Sequence, residues 1–351
     1  MPSNERPPII SVIVPVYNCG RFLTEQLDFL LSDPTHSLEV IAVDDGSTDD
    51  SISMLRDRAA SDKRLRVFEQ RNQGPGAARN IGLEVATGTW IAFADADDLL
   101  PAAGLFEWLA QVVRQDLDVL VGNAYRFKGD PRAALKTPFF SRQPYDQVVG
   151  GQDWIAHCVR EKEWPHYVWL QLIKRELIVR HELRFDPTIL HEDVLWTTNL
   201  ALVAQRMGFA RSPVYGYRRH DESVVFSADP TRRRLRGASY VVIIRTLLAY
   251  AQRPDVRPDT RNALCRHVFH EVLCFVDLLR KDIDDSCTRR ELAQSLLDLH
   301  PWRRVLSCVR RPADLIRVFK AQRRLVKIAA TGTADRRVAD GRTVGQGRPG
   351  A

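Results

Sequence analysis

Residues 90–100 read WIAFADADDLL, an apolar run of strand character that ends in Asp95, Asp97 and Asp98. Carboxylates this close repel one another, so the stretch is either a solvated strand end or a place for a cation. In extended chain, residues i and i+2 point the same way, which predicts that Asp95 and Asp97 face one ion while Asp98 points elsewhere. Two carboxylates are too few to enclose a divalent metal. They suit Mg²⁺ or Mn²⁺, which complete their shell with water and substrate phosphates. The competing reading makes Asp97 or Asp98 the cap of a helix whose first turn holds Pro101.

The pattern recurs on either side. SVIVPVY (11–17), LEVIAVDD (38–45), RLRVFEQ (64–70) and DVLVGNAY (118–125) read as further strands. Between them lie helical stretches. Leu23, Leu27 and Leu30 share one face of the first. The second is capped near Ser47 to Asp49. The turn NQGPG (72–76) leads into a helix over Ala77–Ala86 that Gly88 ends, and another helix covers Gly104–Arg114. Strand–helix alternation predicts an α/β fold, a parallel sheet with helices on both faces. Ligands in such sheets sit beyond the carboxyl ends of the strands, where the polar clusters fall.

Residues 126–151 read as a polar loop, and Trp154–Arg180 as helical and aromatic-rich. From Arg232 to Ala330 nearly everything is amphipathic helix, broken near Pro254, Pro258 and Pro301. The segment 331–351 is rich in Gly, Arg and Thr and is expected to be disordered. The expected organisation is a catalytic α/β domain over 1–228, a basic helical domain over 229–330 and a tail over 331–351.

The 351 residues carry a net charge of +7, unevenly spread. Residues 231–351 hold 26 Lys and Arg against 12 Asp and Glu; residues 1–230 hold 25 against 32. A basic C-terminal half suits an anionic partner such as a polyanionic chain or a membrane surface. It carries no nucleic-acid-binding motif, so nucleic acid is not expected. The six cysteines form no C-x-x-C pair, which points to reduced thiols and the cytoplasm. The start MPSNERPPII lacks a signal peptide's basic and apolar regions, and the most apolar helix, YVVIIRTLLAYA (240–251), is too short to span a membrane.

The blocks SVIVPVYN, VDDGSTDDS, NQGPGAARNIGLEVATG and WIAFADADD, in this order, resemble glycosyltransferase family 2. The likeness resumes at VWLQLIKRELI (168–178), RFDPTILHEDVLW (184–196) and YGYRRHDESVV (215–225). The resemblance implies a GT-A fold, that is, a Rossmann-like nucleotide-binding domain with a D-x-D motif, here followed by the helical C-terminal domain. It implies a nucleotide-sugar donor, a UDP-sugar foremost, and Mn²⁺ or Mg²⁺. Pro15, Val16, Tyr17 and Asn18 would line the base and ribose pocket, and Asp44 or Asp45 would accept hydrogen bonds from the base or ribose. Arg79 would contact the nucleotide. Asp95 and Ala96 would lie along the ribose, and Asp97, with Asp95, would hold the metal. Asp193 would be the base that deprotonates the acceptor hydroxyl, with Glu192 orienting it. Arg218, Arg219 and Ser223 would meet the diphosphate or the acceptor, and His220 would be a third metal ligand. The acceptor would be a cell-envelope saccharide, a polyol-phosphate polymer or a lipid-linked sugar, with peripheral membrane contact; the flat faces of Trp164, His166 and Trp169 suit sugar rings in an acceptor site or, equally, packing in a core. The chain lacks a Q-x-x-R-W block and membrane spans, which favours single additions over processive extrusion. Two other classes share parts of the pattern: a sugar-phosphate nucleotidyltransferase, whose Gly-rich basic loop is missing here, and a polyanion-binding protein.

Overall fold

The computed structural model describes residues 8–32, 37–219, 229–309 and 311–330. The tail expected over 331–351, His220 and Ser223 lie outside them. One compact unit spans Met1–Val225 with Pro254–Thr260, the other Phe226–Arg253 with Arg261–Ala351.

In the first unit a seven-stranded sheet runs in the order β3-β2-β1-β4-β6-β5-β7. The strands are β1 (Ile10–Val16), β2 (Leu38–Asp44), β3 (Leu65–Glu69), β4 (Trp90–Phe93), β5 (Val119–Phe127), β6 (Gln171–Lys174) and β7 (Met207–Arg218). The connections hold α1 (Gly20–Leu30), α2 (Ser51–Ser61), α3 (Pro75–Val85), α4 (Ala102–Gln115), α5 (Gly151–Glu161), α6 (Arg175–Arg180) and α7 (Glu192–Val203). The continuous apolar runs of β1, β2 and β4 are buried throughout apart from Pro15, as strands covered on both faces must be. Helix α3 reaches β1 closely because Gly82 has no side chain: a Cβ there would lie 2.3 Å from Cγ2 of Ile13.

Register brings the polar strand ends together. In the parallel β1–β2 pair Val16 lies opposite Asp44, and in the parallel β1–β4 pair Ile13 lies opposite Phe93. The chain after Val16, Asp44 and Phe93 therefore emerges at one edge.

Two strands depart from the sequence reading. β6 is antiparallel to both β4 and β5, within the stretch expected to be helical, so the sheet is mixed and not wholly parallel. Its four residues lie between two helices, and periodicity cannot separate so short an apolar run from helix; pairing with β4 and β5 decides it. β7 is twelve residues long and was not expected. Its register against β5 shifts around Asn123, and Pro213 and Gly216 interrupt its alternation.

The second unit is helical: α8 (Pro230–Tyr250), α9 (Pro258–Lys281), α10 (Ser286–Asp298), α11 (Trp302–Cys308) and α12 (Pro312–Ala330). No described helix is long and apolar enough to cross a membrane.

Candidate active site

β4 ends at Phe93, so the three aspartates that follow are not in extended chain. They form a turn, closed by a hydrogen bond from the Asp98 amide to the Asp95 carbonyl at 3.2 Å. Alternation along a strand is thus the wrong reason to pair Asp95 with Asp97; the turn brings the three carboxylates into one electrostatic cluster. Asp98 is 2% exposed and belongs to the framework. It accepts hydrogen bonds from the Tyr215 hydroxyl at 2.9 Å and the Arg218 amide at 2.8 Å, while the Asp95 amide donates to Tyr215 Oη at 3.1 Å. β7, unforeseen in the sequence, clamps the turn through these bonds and through the paired amides and carbonyls of Leu99 and Gly216. Burial, followed by repulsion from Asp97 and Asp95, holds the Asp98 carboxyl well above the usual carboxylate range. Burial and Asp97 also push Asp95 up, against the pull of Arg79.

Arg79 joins this turn to the second acidic motif. Its guanidinium is buried and donates to Asp95 Oδ1 at 3.0 Å and to Glu192 Oε1 at 2.6 Å. The turn before α3 makes that reach feasible. Gly74 sits at φ 90°, and Gly76 leaves room for Glu192, whose Cγ would lie 3.3 Å from an added Cβ. Asn80 fixes the other wall, exchanging hydrogen bonds with the Phe185 amide and carbonyl at 2.9 Å each. Phe185 stacks on Trp196 with centroids 4.1 Å apart, and both rings meet Phe93 edge-on. This aromatic cluster seats the first turn of α7 beside the end of β4. His191, just before α7, adopts a left-handed φ of 62°, and Glu192 and Asp193 occupy the first turn. Burial first, then the neighbouring Glu192, raises the Asp193 carboxyl from 3.8 to about 7. That suits a base working near neutrality.

The ends of β1 and β2 are tied together. Asn18, at φ 51°, donates its amide to Ser47 Oγ at 3.0 Å and accepts from the Thr48 amide at 2.8 Å. Val16 is wholly buried, so only its backbone is offered to a ligand; the Tyr17 ring is exposed. The two aspartates of Asp44–Asp45 separate clearly. Asp45 takes Gln70 Nε2 and the Gln73 amide on one oxygen and the Gly74 amide on the other, at 2.6 to 2.8 Å. Asp44 uses one oxygen for the Gly46 and Ser47 amides, while its buried Oδ1 has no hydrogen-bond partner in the described protein. A buried acceptor left this way is costly unless something else donates to it.

Arg218, the last residue of β7, reaches the acidic turn. Its Nε donates to the Asp97 carbonyl at 2.8 Å, a terminal nitrogen pairs with Glu25 at 2.5 Å, and the guanidinium packs over Phe22 and Phe127. It braces the acidic turn. Arg219 is exposed. Trp164 and His166 stack on each other at 4.7 Å. Trp169 is the middle ring of a stack, 4.2 Å from Tyr215 and 4.7 Å from Tyr167. Tyr167 is the exposed end, and after burial it is the charge of Asp193 that most raises its hydroxyl. Tyr217 senses Asp98 and Asp97 in the same way. The sequence reading singled out neither Tyr167 nor Tyr217.

Acidic turns at the carboxyl edge of a mixed α/β sheet, with a helical unit after it, are the arrangement of the GT-A fold, and the comparisons with known proteins agree. Glycosyl transferase family 2 matches residues 11–179. The glycosyltransferase YibD of Escherichia coli K12 is 28% identical over 309 residues, covering 86% of this chain and 88% of YibD. EpsJ of Bacillus subtilis 168, also a glycosyltransferase, is 30% identical over 263 residues, covering 74% of this chain and 76% of EpsJ. In fold, the chain is similar to Staphylococcus aureus TarS 1-349 in complex with UDP, at a TM-score of 0.67 and 19% identity over 94% of this chain and 91% of TarS 1-349. The chain belongs to glycosyl transferase family 2.

Proposed function

We propose that the protein transfers a sugar from a UDP-sugar, with inversion, to a hydroxyl of a cell-envelope glycan, a polyol-phosphate polymer or a lipid-linked saccharide. The observation that carries this is Arg79, which draws Asp95 of the acidic turn and Glu192 of the α7 turn onto one guanidinium. Donor-side and acceptor-side carboxylates thereby share one site. TarS 1-349 has been solved with UDP and with UDP-GlcNAc, and the Pyrobaculum calidifontis mannosyltransferase PcManGT with GDP-Man and Mn²⁺, which supports a nucleotide-sugar donor on this fold.

In this reading Asp44 Oδ1 accepts from the imide N–H of uracil, and Pro15, Val16 and Tyr17 flank the base. Asp45 and Asn18 hold the loops that shape the pocket, and Ala96 lies in the turn between the ribose and the diphosphate. Asp193, ionised above about pH 7, takes the proton from the acceptor hydroxyl as its oxygen attacks the anomeric carbon and the nucleoside diphosphate leaves on the opposite face. Tyr167 and Trp169 offer aromatic surface beside that hydroxyl.

The residues fit a divalent cation. No described group of three or more His, Cys, Asp or Glu could hold a metal, but Asp97 and Asp95 supply hard oxygen donors whose mutual repulsion a cation would offset. Mn²⁺ or Mg²⁺ held there supplies charge neutralisation for the diphosphate. The protein would work in the cytoplasm, touching the inner membrane face where a lipid-linked acceptor is presented.

The test is nucleoside-diphosphate release from a panel of UDP-, GDP- and dTDP-sugars with and without Mn²⁺. Release from a UDP-sugar that Asp97→Ala abolishes supports the reading. Pyrophosphate release, or turnover indifferent to Asp97, overturns it.

A further inference from the structure

The excess positive charge of the second unit is not uniformly available. At the start of α8, Arg233, Arg234 and Arg236 pair with Asp284, Glu291 and Asp282 at 3.3, 3.0 and 3.8 Å. These arginines hold α8 to the α9–α10 region of their own unit.

Helix α12 is different. Val318, Ala321 and Leu325 form a buried seam, with α10 and α11 as the packing partners. On the outward side Ile316, Phe319 and Val326 are 55%, 56% and 50% exposed. At about 100° per residue Phe319 and Val326 share one strip, Lys320, Arg324 and Lys327 lie on the strip beside it, and Ile316 and Arg323 sit at the border between the two. The one acid of the helix, Asp314, pairs with Arg317 at 3.7 Å; the other four cations make no ion pair among the described residues.

We propose that α12 is an interfacial helix that docks the protein on an anionic bilayer. Large apolar side chains adjoining a strip of unpaired lysines and arginines match a membrane surface, where the apolar groups enter the acyl boundary and the cations meet lipid phosphates. Charge complementarity favours this occupant over the others. A second copy would set two such cationic strips face to face, and a nucleic acid would cover the cations while leaving Ile316, Phe319 and Val326 in water. The helix lies on the surface rather than crossing it: its 19 residues include five Lys and Arg, and it is not apolar enough to span. The inference deepens the membrane contact named above and does not depend on the donor or the catalytic residues.

The experiment is co-sedimentation of the full chain with phosphatidylcholine vesicles, with and without phosphatidylglycerol, at low and high salt. Binding should require phosphatidylglycerol and weaken with salt. Neutralising Lys320, Arg323 and Arg324 to Gln should lower partitioning about a hundredfold, at about fivefold per cation. Phe319→Ser should lower it about tenfold. Both variants should keep the wild-type melting temperature and donor hydrolysis. Equal binding with and without phosphatidylglycerol, or full binding by Phe319→Ser, overturns the proposal. So does a change of oligomeric state in Phe319→Ser with vesicle binding unaltered, which would assign the face to a second copy.

Discussion

Replacing Asp193 with Asn should damage catalysis and improve stability in the same pH range. The carboxyl is raised from 3.8 to about 7 by burial and by Glu192. At 1.36 kcal/mol per pH unit, ionising it in the folded protein costs about 4 kcal/mol as an upper bound. Partial exposure of Asp193 and the charge it shares with Glu192 trim this to about 2 kcal/mol or more. The sign follows from proton counting. Between about pH 4 and pH 7 the folded state holds a proton that the unfolded chain has lost, so this group lowers stability steadily as pH rises and levels off above about 7. Asn carries no such charge. Asp193→Asn should therefore match wild type near pH 4 and exceed it by about 2 to 4 kcal/mol at pH 8, read by urea denaturation at both pH values. Sugar transfer should fall by about a hundred- to ten-thousandfold. Wild-type kcat/KM should fall tenfold per pH unit below about 7. A variant less stable than wild type at pH 8, or one that keeps a tenth of the activity, would refute the assignment.

Other residues give separable outcomes. Arg79→Ala leaves Asp95 and Glu192 without their shared partner and should cost about 3 to 5 kcal/mol in urea unfolding, with donor turnover lost at temperatures where the fold persists. Asp44→Asn should weaken protection from thermal unfolding by UDP while leaving the ligand-free melting temperature close to wild type; Asp45→Asn, which breaks the loop bonds, should lower that temperature itself. Tyr215→Phe removes the donor to Asp98 and the acceptor for the Asp95 amide, and should destabilise by about 1 to 3 kcal/mol and raise the Mn²⁺ concentration needed for half-maximal turnover.

The sequence carried most of the first half of the sheet, because β1, β2 and β4 are buried on both faces and their apolar runs end abruptly in polar residues. β6 was illegible because four residues cannot show a period, and β7 because its shifted register and Pro213 break the alternation. The strand ends and the Glu192–Asp193 turn were readable as blocks. Their division of labour was not. Which of Asp44 and Asp45 keeps an oxygen without a protein partner depends on the path of residues 70–74, and the bracing of the acidic turn by Arg218 and Tyr215 depends on β7. Likewise, the surplus of arginine in the C-terminal half gave no sign that the start of α8 is neutralised internally.

The most direct test of the central claim, that two acidic turns joined by Arg79 form one metal-dependent transfer site, is UDP release from a UDP-sugar as a function of Mn²⁺ in wild type, Asp97→Ala and Asp193→Asn. Mn²⁺-dependent release is predicted for wild type, with Asp97→Ala losing the Mn²⁺ response and Asp193→Asn still binding UDP with Mn²⁺ but failing to turn over. Full Mn²⁺-dependent turnover in either variant would contradict it.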